Sequence, residues 1–302
     1  MTIHKNFGVH TLRKSILIVV LTLLFANVVS SKEIDSCQTI SSPGEYMLNT
    51  SITNSSLFSC INITSSDVIF DGAGFAIDGT ATSGTKGVYV YNSTNVLRNV
   101  TVKNLKVTDW YYGIYYLKTQ NGTLSWNTAS SNIYGILLSQ SSYNNLTRNT
   151  ASLNSPGIML YQSSYNSLTN NTAISNAYGI DLSSSNFNII TGNNASSNSD
   201  NGIILFAFGF TGNYNIIYNN YFNNTNNSRI LSLPNTWNTT KKPGINIIGG
   251  TYLGGNFWAK PDGTGFSQTC ADSDGDGICD SPYVLYGNNI DYLPLANKQG
   301  KK

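Results

Sequence analysis

Beyond residue 31 the chain has no histidine; its two histidines are His4 and His10. That absence excludes a Ser–His or Cys–His nucleophile pair, a histidine general base and any imidazole metal ligand. Charge is also scarce, at 11% of residues. Residues 1–31 carry three of the 17 Lys and Arg and none of the 15 Asp and Glu, which leaves 14 against 15 and a net charge of −1. Nucleic acid is therefore not an expected partner, because phosphates demand a concentrated basic face. Long apolar runs are nearly absent as well. The one at residues 16–26 follows His4, Lys5, His10, Arg13 and Lys14 and precedes Ser30 and Ser31. This order reads as a secretory signal peptide over residues 1–31, with an uncleaved N-terminal anchor as the alternative. No second run approaches the ~20 residues of a membrane span. The expected product is a secreted, cell-surface-associated protein with no membrane span once the signal is removed.

There are only four cysteines. Behind a signal peptide an even count reads as disulfides, and proximity pairs Cys37 with Cys60 and Cys270 with Cys279; free buried thiols are the alternative. Closing loops of this size contributes roughly 3 kcal/mol each in the chain-entropy model. The pairs lie too far apart for a cysteine-rich zinc site, and no histidine assists.

What fills the chain instead is a repeat. Gly113, Gly135, Gly157, Gly179 and Gly202 recur at spacings of 22, 22, 22 and 23 residues. In the same register stand Ile114, Ile136, Ile158, Ile180 and Ile203, then Leu124, Leu146, Leu168 and Ile190, then Ala129, Ala151, Ala173 and Ala195. Two asparagine columns keep step: Asn127, Asn149, Asn171, Asn193 and Asn132, Asn154, Asn176, Asn198. The units are laced with Gly, Asn, Ser and Thr and carry no helical stripe. Each reads as three short strands separated by polar turns. The expected fold is all-β, a right-handed single-stranded parallel β-helix with one unit per coil, like residues stacked ~4.8 Å apart. Buried amides satisfy one another only when stacked, so the asparagine columns are expected to form ladders. Six to seven coils are expected over residues 67–229, between an N-terminal cap (32–66) and a C-terminal capping module (230–302).

The unit G-I-x-L-x-x-S-S-x-N-x-L-x-x-N-x-A-x-x-N resembles the NosD-type repeats of the carbohydrate-binding and sugar-hydrolase (CASH) family of pectin-lyase-like β-helices, in the form carried by archaeal surface proteins. Residues 37–79 are similar to the opening cap of such proteins. Residues 254–295, with GGNFWAKPDGTG, DSDGDGICDSPY and IDYLPL, are similar to their closing module. The resemblance spans nearly the whole chain beyond residue 31 and implies fold and location more firmly than activity. NosD proteins themselves serve assembly of a copper site. Copper takes His, Met and Cys ligands, and beyond residue 31 only Met47 and Met159 accompany the four cysteines, so no copper is expected.

Three features bear on chemistry. Asp272, Asp274, Asp276 and Asp280 alternate around Gly277, with the Ile278 carbonyl at the seventh loop position. This is the ligand order of a calcium loop, but Tyr283 replaces the bidentate Glu and flanking helices are missing. A structural calcium is expected there, with a solvated acidic turn as the alternative. Catalysis is not well supported, because residues 113–202 contain only Asp181 and Asp200 as acids and Lys118 and Arg148 as bases. The outward row Tyr89, Tyr115, Leu137, Met159, Asp181, Ile204 holds one acid, whereas a glycosidase needs two. Binding is better supported: Tyr143, Tyr165 and Phe187 share one turn column, and Tyr115 and Asp181 lie on the outward row. Aromatic rings among Asn and Ser suit sugars, although the rings could instead cover turns or pack against another copy. The leading expectation is a non-catalytic protein that binds or organises polysaccharide or cell-envelope glycoprotein. A polysaccharide lyase, epimerase or hydrolase comes second and a NosD-like copper-site assembly factor third. Twelve N-x-S/T sequons add an expectation of glycosylation.

Overall fold

A computed structural model describes residues 31–207, 214–231 and 234–297. The expected signal segment lies outside them, apart from Ser31. The described chain winds into a right-handed parallel β-solenoid of about nine turns. Three sheets of nine, nine and eight parallel strands run its length. A typical turn passes through Tyr134–Ser139 on the first face, Asn145–Thr147 on the second and Thr150–Ser152 on the third. The next turn lies in register: Ile136 pairs with Ile158, Leu146 with Leu168 and Ala151 with Ala173. These columns form the core and are 0–1% exposed.

The turn count exceeds the six to seven expected. The segment 32–66 supplies Gln38–Ile40 and Ser59–Ile63 to the first face, and Lys32–Ile34 and Gly44–Leu48 to the second. At the other end Ser228–Leu231 extends the first face and Phe257–Ala259 the third. These turns vary in length, so no 22-residue period marks them. Strand pairing needs only matched backbones, and side-chain identity is not required.

Each central coil bends at four residues with left-handed backbone. In one coil these are Gln140, Tyr143, Arg148 and Leu153, with φ of 51°, 61°, 56° and 58°. One such residue between extended neighbours turns the chain sharply, at ~1–2 kcal/mol for a side chain other than glycine. The residue that follows each bend points inward: Ser141, Asn144, Asn149 and Asn154 are 0–4% exposed. Asn149 shows how these inward residues are satisfied. Its Oδ1 accepts from Asn127 N (3.1 Å) and Nδ2 (3.0 Å), while its own Nδ2 donates to the Leu124 carbonyl (2.8 Å) and to Asn171 Oδ1 (3.0 Å). The two expected asparagine ladders form, and two more join them. One runs Asn144, Asn166, Asn188, Asn215; the other runs Thr119, Ser141, Ser163, Ser185.

The recurrent glycine follows from the ladder. A Cβ on Gly135 would meet Gly157 O at 2.4 Å and Asn154 Nδ2 at 2.8 Å. The first-face strand therefore has no room for a side chain where the amide of the next coil passes.

Both expected disulfides form. Cys37–Cys60 joins the first two first-face turns, and Cys270–Cys279 closes a loop of the C-terminal module. That module seals the core. Phe222 and Trp258 stack at 4.7 Å on the column that holds alanine in the middle coils. The Asn127 ladder passes through Asn220 and Asn256 and ends on Asp291, whose carboxylate accepts Asn256 N (2.8 Å) and Trp258 Nε1 (2.9 Å). An acceptor-only group ends the ladder without leaving a buried amide N–H unpaired. Burial nonetheless raises its pKa to about 7.

Asn144 and Asn145 give an adjacent test of the ladder. Asn144→Ala leaves the buried N–H of Gly122 without its acceptor (2.8 Å) and removes the three hydrogen bonds donated by Nδ2, while Asn166 Oδ1 keeps the backbone N–H of residue 144 (2.9 Å). It is expected to cost about 2–4 kcal/mol, from 1–3 kcal/mol for the one abandoned N–H and roughly 1 kcal/mol for the lost amide bonds. Asn145→Ala, on an exposed strand position, should stay within ~0.5 kcal/mol. Urea unfolding of both variants measures the difference.

Candidate functional site

The column Tyr143, Tyr165, Phe187 falls on the bend between the first and second faces. The rings stack at 5.1 and 5.0 Å with interplanar angles of 8° and 11°. Tyr214 continues the stack at 5.5 Å and 11°. Sequence reasoning missed Tyr214 because the preceding segment lengthens the unit; its signal was Asn215, which follows it as Asn188 follows Phe187. All four rings are 45–58% exposed. With neighbours ~4.8 Å apart along the axis, the rings overlap obliquely, and solvent meets their edges and part of each face. Beside them run Gln140 and Gln162, with Nε2 donating to Oε1 at 3.4 Å, and on the other side the exposed pair Ile189 and Ile216. The result is a straight amphipathic ridge parallel to the solenoid axis.

The outward row of the first face is in register from Asn62 through Tyr89, Tyr115, Leu137, Met159, Asp181 and Ile204 to Arg229. It is less open than the alternation alone implies. Tyr115 packs against Tyr89 (5.3 Å) and Tyr112 (4.9 Å), and Tyr112 against Tyr134 (5.1 Å). Leu137 and Ile204 are only 6% and 8% exposed. Burial among these rings raises the Tyr89 hydroxyl to about 12. Lys86 Nζ sits 3.7 Å from the Phe58 ring centroid and donates to the Gly84 carbonyl, and desolvation lowers its pKa.

Asp181 is the acid of this row. Ser183 Oγ donates to it at 2.7 Å, yet desolvation raises its pKa to about 6. It shares a shallow depression with Tyr178, Ser183, Ile204, Phe206 and Arg229. Lys118 and Arg148 do not join it. Arg148 lies over the Trp126 ring (4.8 Å) on the bend between the second and third faces, and Lys118 occupies the bend that ends a first-face strand three coils away.

In the acidic loop, carboxylate oxygens of Asp272, Asp274 and Asp276 lie within 4.8 Å of one another. Asp280 is not among them. Its carboxylate takes the N–H and hydroxyl of Ser273 (2.6 Å to Oγ), which lowers its pKa. Ile278 is buried and bridges Leu295. Lys241 forms an ion pair with Asp276, and its own pKa rises in consequence. The three gathered carboxylates fit a hard cation, with the Lys241 ammonium as its competitor.

Among the described residues no helix is long and apolar enough to cross a membrane. The model of the family described as "Periplasmic copper-binding protein (NosD)" matches residues 27–263. No curated protein matches the chain. Similar solved structures include the Dettilon tailspike protein gp208 (TM-score 0.48, 15% identity, 68% of this chain and 51% of that one). They also include a double mutant of the periplasmic alginate epimerase AlgG (0.47, 16%, 65% and 59%). A third is the Azotobacter vinelandii mannuronan C-5 epimerase AlgE6 A-module (0.34, 12%, 68% and 81%). The chain thus spans about half the length of the first of these. Copper does not fit the described residues. Met47 stands on the second face opposite Asp71, Met159 stands on the first between Leu137 and Asp181, and all four cysteines are oxidised.

The raised pKa of Asp181 sets a pH dependence. The folded state holds this proton more tightly than the unfolded chain, so its contribution to stability is complete below about pH 4. It is lost as pH rises through about 6. Asp181→Asn is expected to remove that part of the slope and to match or exceed the parent in stability at pH 8, while the slope due to Asp291 persists in both. Thermal unfolding between pH 4 and 8 reads the difference.

Proposed function

This chain belongs to the NosD family, and we propose that it is a non-catalytic, extracytoplasmic β-helix that binds or organises polysaccharide or envelope glycoprotein along its aromatic ridge. The observation that carries this reading is the four-ring stack itself. Bulky rings occupy left-handed positions, with φ from 42° to 61°, where Asn or Gly is less costly. They are exposed, so core packing does not account for them. The coil rise of ~4.8 Å is close to the length of one sugar in an extended chain, so successive sugars can meet successive rings. Ring edges and faces offer apolar contact to sugar C–H groups, and Gln140, Gln162 and the tyrosine hydroxyls offer hydrogen bonds. The disulfides and the family's periplasmic description support a location outside the cytoplasm; secretion to the cell surface is the finer form of the proposal.

A lyase, epimerase or hydrolase is the second reading. It has the Asp181 and Arg229 depression in its favour. Against it, hydrolysis needs two carboxylates about one bond, and the in-register neighbours of Asp181 are Met159 and Ile204. A copper-assembly role finds no ligand set among the described residues.

Affinity electrophoresis against a panel of extended acidic and neutral polysaccharides tests the ridge. At least one is expected to retard the protein, and Tyr165→Ala should weaken that binding about tenfold, or ~1.4 kcal/mol. Trp126→Ala, on a different bend, should leave it unchanged.

We also propose a structural calcium held by Asp272, Asp274 and Asp276. Loose sites of this kind bind at ~10⁻⁴–10⁻³ M. Millimolar calcium should therefore raise the unfolding temperature, Asp274→Asn should abolish the rise, and Lys241→Ala should bring it on at lower calcium.

A further inference from the structure

None of the twelve sequons falls on a ladder asparagine. A ladder amide has no N–H to give up: Asn144 Nδ2 donates to Thr119 O, Ser142 O and Asn166 Oδ1. A sugar on such a nitrogen would dismantle the core. The sequon asparagines stand instead on exposed or half-buried positions.

One of them has a particular neighbour. Above Tyr143, the ring column continues as Asn121 (φ 54°) and Asn99 (φ 55°). The backbone N–H of Asn99 donates to Gln120 O and that of Asn121 to Ser142 O, which places the two one and two coils above the ring. Asn99 is engaged, with Nδ2 donating to Asp67 Oδ1 at 2.8 Å. Asn121 is exposed, and its amide makes no hydrogen bond among the described residues. Tyr143 stacks on Tyr165 with one face, and Asn121 holds the same bend position one coil to the other side of it.

We propose that Asn121, in the sequon Asn121-Gly122-Thr123, is an N-glycosylation site whose first sugars lie on the free face of Tyr143 and cap the end of the aromatic ridge. The side-chain amide nitrogen bonds to the anomeric carbon of an oligosaccharide carried on a lipid pyrophosphate; the bond from that carbon to the pyrophosphate oxygen breaks, the lipid pyrophosphate leaves, and the amide gives up one proton. The sugar's C–H face then packs on the Tyr143 ring, which is 55% exposed and has Tyr165 as its one stacked ring among the described residues, as ring partners pack elsewhere in the column. Gly122 leaves no side chain beside the attachment point, and its N–H is held by Asn144 Oδ1 (2.8 Å). The bend that carries the glycan is therefore fixed by the ladder beneath it. This inference does not depend on an external polysaccharide.

The test is expression of the full chain through a eukaryotic secretory pathway that performs N-glycosylation, followed by glycopeptide mass spectrometry. Asn121 is expected to carry a glycan that Asn121→Gln and Thr123→Val both remove. Unfolding temperatures of the parent, Asn121→Gln, Tyr143→Ala and the double variant then read the packing. Loss of the glycan should lower the midpoint by about 2–4 °C with Tyr143 present, and by less than half of that in the Tyr143→Ala background. An unmodified Asn121, whatever the state of exposed Asn226, overturns the site. Equal shifts in the two backgrounds overturn the contact with Tyr143.

Discussion

The structure depends on one constraint: a buried side-chain amide with two donors and one acceptor must be satisfied inside the protein. An abandoned buried polar group costs ~1–3 kcal/mol. In this chain the partner is the same residue one coil away. Asn149 accepts from Asn127 and donates to Asn171, and the identity of the residue is what makes the geometry repeat. This requirement fixes where each coil must place an inward asparagine, whether the step is 22 residues or, as from Asn188 to Asn215, 27; it also leaves no room for a side chain at Gly135 and its equivalents and accompanies bends in a left-handed conformation that most side chains avoid. At the C-terminal end it also explains why Asp291 stands where another asparagine would need a further partner.

The ladders connect the core to the surface. In the central coils each inward asparagine follows an outward residue on a bend, so whatever occupies that outward position is repeated at the coil rise with little freedom. On one bend the outward residues are three tyrosines and a phenylalanine, giving the stacked ridge; on the same bend farther up they are Asn121 and Asn99. The same frame thus aligns the exposed rings and places the Asn121 side chain in the same column beyond Tyr143.

Much of this was legible in the residues. Identical side chains at one spacing require stacking, and the Gly, Ile, Leu, Ala and Asn columns revealed the fold, the register, two ladders and three of the four ridge rings. The rest was hidden for physical reasons. The Asn144 and Ser141 ladders lie within a serine- and asparagine-rich stretch that reads as a solvated turn, because inward direction is set by backbone φ and not by residue type. The turns in residues 32–66 pair through their backbones with unequal unit lengths and leave no period. Asp280 belongs to the acidic loop by spacing, but Ser273 turns its carboxylate away from Asp272, Asp274 and Asp276. The tyrosine packing that covers Leu137 depends on neighbours from three successive coils, which alternation along a single strand does not reveal.

Hydrogen exchange at the bends tests the central claim most directly. The backbone N–H groups of Asn127, Asn149 and Asn171 donate only to side-chain oxygens of the next coil. If the ladders hold the solenoid together, these amides exchange as slowly as those of the core strand residues Ile136 and Ile158. Exchange at the rate of an exposed turn, with the strands still protected, would show that the strands stand without the ladders and would contradict the account.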